Sequence, residues 1–217
     1  LWITKSPFGK GSKINIEKKN KKIFVIATHD FLDAPHTSGK SLFPDFYLWF
    51  LFLCEFSKKT DHIWLIKNHP DFGGKWSRYM KYEREVIERV IKNYKHIKVL
   101  HKNTTLNDLV ETKVDAIFTV NGSIGLDGAL LNIPVINASN NNPHINYNFN
   151  INQKNIKELK DIILNFEKYK KKLKINKDEI YEFYGMRSVF FTRNWFFSNL
   201  EKISKEIDNH YNLHDPI

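Results

Sequence analysis

Short apolar runs alternate with longer stretches of helical periodicity along the first 140 residues of the chain. The runs are rich in isoleucine and valine and are apolar at consecutive positions, which predicts strands buried on both faces of a parallel sheet. Five strands are predicted, at residues 22–28, 62–68, 97–100, 115–120 and 134–138. Helices are predicted between them, at residues 44–59, 77–94, 105–112 and from about Ser123 onward.

This alternation predicts an α/β fold, a doubly wound Rossmann-like parallel sheet of about five strands. Right-handed crossovers from a central first strand give the strand order 3-2-1-4-5. After residue 153 the pattern is helical, at residues 154–173 and 195–207. We therefore expect a Rossmann-like domain at residues 1–153, with C-terminal helices in residues 154–217 packed on the same domain.

Polar residues and glycines concentrate in the loops that follow the five strands. The carboxyl ends of parallel strands meet at one edge of the sheet, which is where such folds bind ligands. The loops at the opposite edge are rich in lysine and carry no comparable cluster. The sequence therefore predicts a binding site at the carboxyl edge.

The loop after the fourth strand reads NGSIGLDG, residues 121–128. A helix beginning here presents unpaired N–H groups and partial positive charge to a phosphate. Gly122 lets a ligand approach the backbone, Ser123 either caps the helix or donates to phosphate, and Asp127 is a candidate for ribose or sugar hydroxyls. The alternative is that the glycines serve close packing of the helix on the sheet. The spacing differs from the dinucleotide fingerprint GxGxxG, so we expect no nicotinamide or flavin cofactor.

The loop after the second strand begins with His69 and Pro70. Proline restricts the backbone of the residue before it, so the imidazole is held at the sheet edge, where it can donate to a phosphate. Lys67 alternates with His69 along the strand and adds positive charge. The alternatives are a structural histidine and a solvated lysine.

The loop after the first strand is dense in polar residues: His29, Asp30, Asp33, His36 and Ser38. Imidazole and carboxylate both bind zinc or manganese, but this spacing has no metal signature, and we predict no metal site. We expect contacts with a nucleotide, a sugar or an acceptor, alongside local turn and cap roles. Thr104, after the third strand, joins His36 and Ser38 as a candidate for contact with the acceptor or the donor.

A formal net charge of +10 predicts an anionic partner: nucleic acid, anionic lipid or a phosphorylated substrate. This charge makes a non-enzymatic module that binds nucleic acid or anionic lipid the alternative of a different class. No stacking motif or regular basic stripe supports it. The single cysteine, Cys54, excludes an intrachain disulfide. The sequence begins with Leu1, so we expect a piece of a longer protein.

Two segments together resemble bacterial capsule and surface-polysaccharide glycosyltransferases. They read LIKNHPD and DLVETKVDAIFTVNGSIGLDGALLNIPVINAS. The stretch THDFLDAPHTSGKSLFPDFYLWF is also similar to a segment of such proteins. The resemblance spans residues 22–140 and implies the C-terminal, donor-binding half of a GT-B fold. It implies a nucleotide-sugar donor, a polysaccharide or lipid-linked acceptor, no further cofactor, and a cytoplasmic location with peripheral contact at the inner face of the membrane.

The resemblance also implies roles for individual residues. His69 and Pro70 would face the donor phosphates, Gly122 and Ser123 would hold them, and Asp127 would stand at the ribose-binding position. Two departures from the family pattern are Asp127 for the commoner glutamate and Gly122 for the first of two paired serines, which leaves CMP, CDP and UDP open. The same pattern resembles CDP-glycerol glycerophosphotransferases, and a sugar epimerase on this fold is a further alternative.

The resemblance implies direct displacement at the anomeric carbon of the donor. The catalytic base of such enzymes generally belongs to the N-terminal domain or the interdomain cleft. Within this chain the local candidates for it are His29, Asp30 and Asp33.

Overall fold

The computed structural model describes residues 11–31, 41–69, 77–140 and 142–190. These residues contain a parallel sheet with the strand order β3-β2-β1-β4-β5-β6. The strands are β1 (Ile23–Ala27), β2 (Ile63–Lys67), β3 (Ile97–Val99), β4 (Ala116–Thr119), β5 (Val135–Asn137) and β6 (Ile151–Asn152).

The predicted fold class and the predicted order of the first five strands are confirmed. Strand β6 was not predicted. It has two residues, Ile151 and Asn152, and pairs with Ile136 and Asn137 of β5. Two residues are too few to produce a hydrophobic period, so a strand of this length is recognisable only by its partner.

The helices in the described ranges lie between and after the strands. They are α1 (Phe46–Ser57), α2 (Ser77–Ile91), α3 (Leu106–Glu111), α4 (Ile124–Leu130), α5 (Ile156–Leu164), α6 (Phe166–Lys170) and α7 (Lys177–Tyr184), which a π-helix follows at Gly185–Phe190. The single helix predicted at residues 154–173 is two helices that meet at Asn165. The helix predicted at residues 195–207 lies outside the described residues.

Side chains at the helix starts explain why several helices begin where they do. Asp45 accepts the N–H of Leu48 at the start of α1, and Asn155 accepts the N–H of Glu158 at the start of α5. Thr105 and Asp108 form a reciprocal capping box at the start of α3. Such caps satisfy backbone donors that the first helical turn leaves unpaired.

Both faces of the sheet are covered by apolar side chains, and every residue of β1 is buried as a result. Phe24 and Ile26 pack on one face with α1 and α5, through Trp49 and Leu159 among others. The opposite face carries Ile23, Val25, Leu65 and Ile117, together with Leu106 and Leu109 of α3. Alternation along each strand therefore divides the apolar residues between two cores, as expected of a doubly wound sheet.

The chain divides into two compact units, Leu1–Lys177 and Asp178–Ile217. The first unit contains the sheet together with α5 and α6. The described part of the second unit is helical through Phe190. Among the helices that the structure describes, none combines the length and the apolar character needed to cross a membrane.

Candidate functional site

Thr28 connects the carboxyl ends of β1 and β2. Its backbone N–H donates to the carbonyl of Lys67 at 3.0 Å. Its hydroxyl oxygen accepts the N–H of His69 at 3.1 Å and lies 3.4 Å from the same Lys67 carbonyl. The segment that carries His69 is therefore fixed against the end of β1, at the carboxyl edge where the sequence predicts the site.

His29 connects the ends of β1 and β4. Its Nε2 accepts the N–H of Val120 at 3.1 Å and lies 2.9 Å from Oγ1 of Thr119. A backbone N–H only donates, so Nε2 is an acceptor, the ring proton is on Nδ1, and the Thr119 hydroxyl donates to Nε2. The ring stacks on Phe46 at the start of α1.

These contacts decide the chemistry that His29 can perform. The side chain is buried, with 8% of its surface exposed. Burial, together with the neighbouring charge of His69, lowers the pKa of His29 to about 3. A group with so low a pKa is a weak general base at neutral pH. The buried, doubly hydrogen-bonded ring therefore favours a positioning role for His29, and the catalytic role stays a prediction.

Gly122 lies against the pair formed by His29 and Thr119. A Cβ at this position would stand 2.9 Å from Thr119 Oγ1 and 3.4 Å from His29 Cε1. The first distance is shorter than ordinary van der Waals contact, so a side chain would push into the hydrogen-bonded pair. The space beside this pair therefore favours glycine at position 122.

Ser123 precedes α4 but does not cap it. It has helical backbone angles and its side chain makes no capping hydrogen bond. The residue is exposed, and its hydroxyl has no hydrogen-bond partner among the described residues. Of the two roles considered for Ser123, capping is therefore wrong, and its hydroxyl is available to a ligand.

Asp127 lies in the first turn of α4, where its N–H donates to the carbonyl of Ser123 at 3.2 Å. Its carboxyl group has no described hydrogen-bond partner. Burial raises the pKa of Asp127 to about 6, because desolvation penalises the carboxylate. A half-buried carboxyl group without a partner is suited to accept hydrogen bonds from ligand hydroxyls.

Gly128 and Gly125 have different surroundings. A Cβ on Gly128 would stand 2.7 Å from Cγ2 of Val135 in β5, so this glycine allows α4 to pack closely on the sheet. A Cβ on Gly125 would stand 3.0 Å from both Asn150 Nδ2 and His144 Nε2. Gly125 and Gly128 thus allow close packing of α4 on its neighbours, whereas Gly122 has its contacts before the start of the helix.

Strands β5 and β6 and the loop between them contribute a set of polar side chains that the sequence reasoning missed, all of them buried except the half-buried Asn152. We call it the amide cluster; it consists of Asn137, Asn142, His144, Asn150 and Asn152. The Asn137 amide donates to Asn152 Oδ1 at 3.0 Å and lies 3.3 Å from His144 Nε2. Asn142 donates to the same Asn152 oxygen at 2.9 Å. The run of asparagines after the fifth strand was the available signal, and the cluster supports the first turn of α4.

Of the remaining predicted site residues, Asp30 and Thr104 are among the described ones. Asp30 is half-buried beside His29. Thr104 is buried, with 4% of its surface exposed. Four predicted residues lie outside the described ranges: Asp33, His36, Ser38 and Pro70. Within the described ranges no group of three or more histidine, cysteine or carboxylate side chains is arranged to hold a metal ion.

Lys67 lies apart from the Gly122 loop. It is half-buried at the end of β2, and burial lowers its pKa, an effect that the charge of Asp108 partly opposes. Asp108 belongs to α3, so the Lys67 side chain is on the α3 side of the sheet. No hydrogen bond or ion pair to its ammonium group is found within the described residues.

No protein-family model and no curated protein matches this sequence. The structure is similar to that of UDP-GlcNAc 2-epimerase from Neisseria meningitidis bound to UDP-GlcNAc, with a TM-score of 0.51 and 15% sequence identity. This match covers 74% of the present chain and 41% of the epimerase chain. At this identity the likeness shows the fold alone, and it confirms the predicted Rossmann-like fold.

Two further matches have lower scores. They are the β-Kdo 2,4 transferase KpsC of Thermosulfurimonas dismutans, at a TM-score of 0.43 and 13% identity, and the wall teichoic acid polymerase TagF, at 0.45 and 14%. The matches cover 69% and 76% of this chain, and 44% and 38% of those chains. The chain spans about two fifths of the length of these three proteins.

Proposed function

We propose that this chain is the donor-binding domain of a glycosyltransferase that uses a nucleotide-sugar to build capsule or another surface polysaccharide. The observation that carries the proposal is the exposed hydroxyl of Ser123, which makes no capping hydrogen bond. Ser123 follows Gly122, which lies beside the pair formed by His29 and Thr119. This arrangement lies at the carboxyl ends of the neighbouring strands β1 and β4. After β1 the chain continues toward one edge of the sheet and after β4 toward the other, which is the usual ligand position in an open α/β fold.

In this proposal the donor phosphates lie over the backbone of Gly122. Ser123 donates its hydroxyl to a phosphate oxygen, and His69, which is near enough to act on the charge of His29, donates from the neighbouring strand end. His29 holds the floor of the site through Val120 and Thr119. Asp127 accepts hydrogen bonds from ribose or sugar hydroxyls of the donor.

The reaction follows as a displacement at the anomeric carbon. An acceptor hydroxyl oxygen forms the new bond to that carbon while the bond from carbon to phosphate oxygen breaks. The nucleotide leaves with the bonding electrons, and the acceptor proton passes to a base. His69 and Ser123 stabilise the negative charge that develops on the leaving phosphate. The protein otherwise contributes orientation of the two substrates.

The acceptor side is proposed from the family resemblance. We propose a polysaccharide or lipid-linked acceptor, and the lysine-rich surface suits peripheral contact with an anionic membrane on its cytoplasmic side. The net charge of +10 supports an anionic partner of this kind.

Calorimetric titration with CMP, CDP and UDP tests the donor site. We expect saturable binding of one of them, and at least tenfold weaker binding in Ser123→Ala and in His69→Ala. Asn93→Ala is the matched control, because Asn93 is exposed at the opposite edge of the sheet. Absence of saturable binding, or affinities that both site variants leave unchanged, would exclude the proposal.

The two enzymatic alternatives differ from the proposed function in the substrates that they require. A glycerophosphotransferase would bind CDP-glycerol in preference to a nucleotide-sugar, and an epimerase would convert its nucleotide-sugar without an acceptor. A non-enzymatic module would instead bind single-stranded oligonucleotide or anionic vesicles with steep salt dependence and would ignore free nucleotide.

A further inference from the structure

Lys67 leaves the sheet on the side that α3 covers. Leu65 packs in the core on the α3 side of the sheet, with Leu100 and Leu106. Lys67 follows Leu65 by two positions in the same strand, so its side chain leaves the sheet on that side. Its electrostatic interaction with Asp108 of α3 agrees with this direction.

Thr104 lies in the loop that follows the neighbouring strand β3, at the same edge of the sheet as Lys67. The N–H of Leu100, just after β3, donates to the carbonyl of Ile66 at 2.8 Å, which sets the end of β3 beside Lys67. A turn then returns the chain, because the N–H of Thr104 donates to the carbonyl of His101 at 2.9 Å. Thr104 is 4% exposed, and its hydroxyl is buried without a hydrogen-bond partner.

The nearby carboxylate is already engaged. Oδ2 of Asp108 accepts the backbone N–H groups of Ser12 and Thr105 and the hydroxyl of Thr105, at 3.2, 2.6 and 2.8 Å. It forms no ion pair with Lys67, whose ammonium donors remain unused. An unpaired buried hydroxyl destabilises the fold, and a desolvated ammonium does so more strongly, so two such groups at neighbouring strand ends call for a ligand.

We propose that Lys67 and Thr104 form a second anion-binding subsite, which takes a phosphate or carboxylate group of a substrate. Both groups donate hydrogen bonds, and Lys67 supplies positive charge, so the complementary ligand is an anionic oxygen acceptor. The subsite is distinct from the Gly122 loop, because β1 separates β2 from β4. Two strand spacings place it about 10 Å away. Its assignment to a substrate rests on the proposed function, whereas anion binding itself does not.

The test follows backbone amide shifts of the whole chain during titration with inorganic phosphate. We expect saturable shifts at Lys67 and Thr104. Lys67→Gln and Thr104→Val should each weaken that binding at least tenfold while leaving the response at Gly122 and Ser123 intact. Lys98→Gln is the matched control, since Lys98 is an exposed lysine on adjacent β3. Ser123→Ala should spare the response at Lys67.

Three results would overturn the subsite: no shift at Lys67 and Thr104, unchanged phosphate affinity in both site variants, or an equal loss in Lys98→Gln. Thermal melting of each variant shows that it is folded, and the two substitutions provide independent tests if one of them is not. Failure of nucleotide binding with phosphate still bound at Lys67 would exclude the proposed function alone.

A second arm identifies the source of the anionic group. The phosphate titration is repeated in the presence of saturating nucleotide diphosphate. If the nucleotide abolishes phosphate binding at Lys67, a phosphate of the donor occupies the subsite. If phosphate still binds there, the subsite takes an acidic group of the acceptor. Either result supports a second subsite.

Discussion

The ring of His29 stacks on the ring of Phe46, with centroids 4.3 Å apart and planes inclined by 14°. On its edge the same ring accepts the N–H of Val120. One side chain thus joins the end of β1 to the first residue of α1 and to the end of β4. Gly122 lies beside Cε1 of this ring. The shape of the candidate site therefore depends on the packing of α1.

Replacing His29 by alanine should destabilise the fold. The change leaves the Val120 N–H buried without a partner and removes the stacking on Phe46, so we expect a loss of about 3 kcal/mol in the free energy of unfolding. Urea unfolding measures it, with Asn93→Ala as control because Asn93 is exposed at the opposite edge. A variant of unchanged stability that binds nucleotide but transfers no sugar would instead favour His29 as the catalytic base.

The stability of the domain should fall in mild acid through the same residue. The pKa of His29 is about 3 in the folded protein and 6.5 when unfolded. Above pH 6.5 neither state is protonated and the contribution is complete. Between pH 6.5 and 3 the unfolded chain binds the proton more strongly, so the free energy of unfolding decreases. Unfolding curves at pH 7.5, 6 and 5 should show a larger decrease for the wild type than for His29→Gln, and equal decreases would contradict the assignment.

Gly122→Ala and Gly128→Ala should separate binding from packing. Each added Cβ is too close to a neighbour, at 2.9 Å from Thr119 Oγ1 and 2.7 Å from Val135 Cγ2 respectively. Both should lower the free energy of unfolding by about 1–3 kcal/mol, as overpacking usually does. Nucleotide affinity, measured by calorimetry, should fall at least tenfold in Gly122→Ala and less than threefold in Gly128→Ala. Equal losses would mean that Gly122 acts through packing alone.

Asp127→Asn should stabilise the free protein at neutral pH. The folded pKa is about 6, and the ordinary value is 3.8. Below pH 3.8 the carboxyl is protonated in both the folded and the unfolded state. As the pH rises the unfolded state ionises first, so ionisation lowers the free energy of unfolding. This loss of stability is complete above pH 6. Two pKa units correspond to about 2.7 kcal/mol, and we expect a gain of roughly 2 kcal/mol because Asp127 keeps some contact with water.

Unfolding of this variant and the wild type at pH 7.5 and pH 3.5 provides the comparison. The difference in free energy should be present at the higher pH and vanish at the lower one. A difference that does not change with pH would mean that ionisation of Asp127 is not its cause. Weaker nucleotide binding despite higher stability would agree with the proposed contact to ribose or sugar.

The apolar pattern alone was sufficient for the order of five strands and the position of the carboxyl edge, since burial on both faces is a local property of each strand. It did not predict β6, whose two residues have no period of their own. It also could not assign partners to single side chains. His29 and Thr119 are 90 positions apart, and no local pattern records their hydrogen bond.

The sequence by itself therefore determined the fold class and the loops that carry the site, because strand periodicity and loop polarity are encoded over a few neighbouring residues. Only the tertiary structure decided what each polar group does there. It made His29 a buried acceptor, left the Ser123 hydroxyl exposed and directed Lys67 toward α3, because those outcomes depend on which distant strand or helix lies within hydrogen-bonding distance.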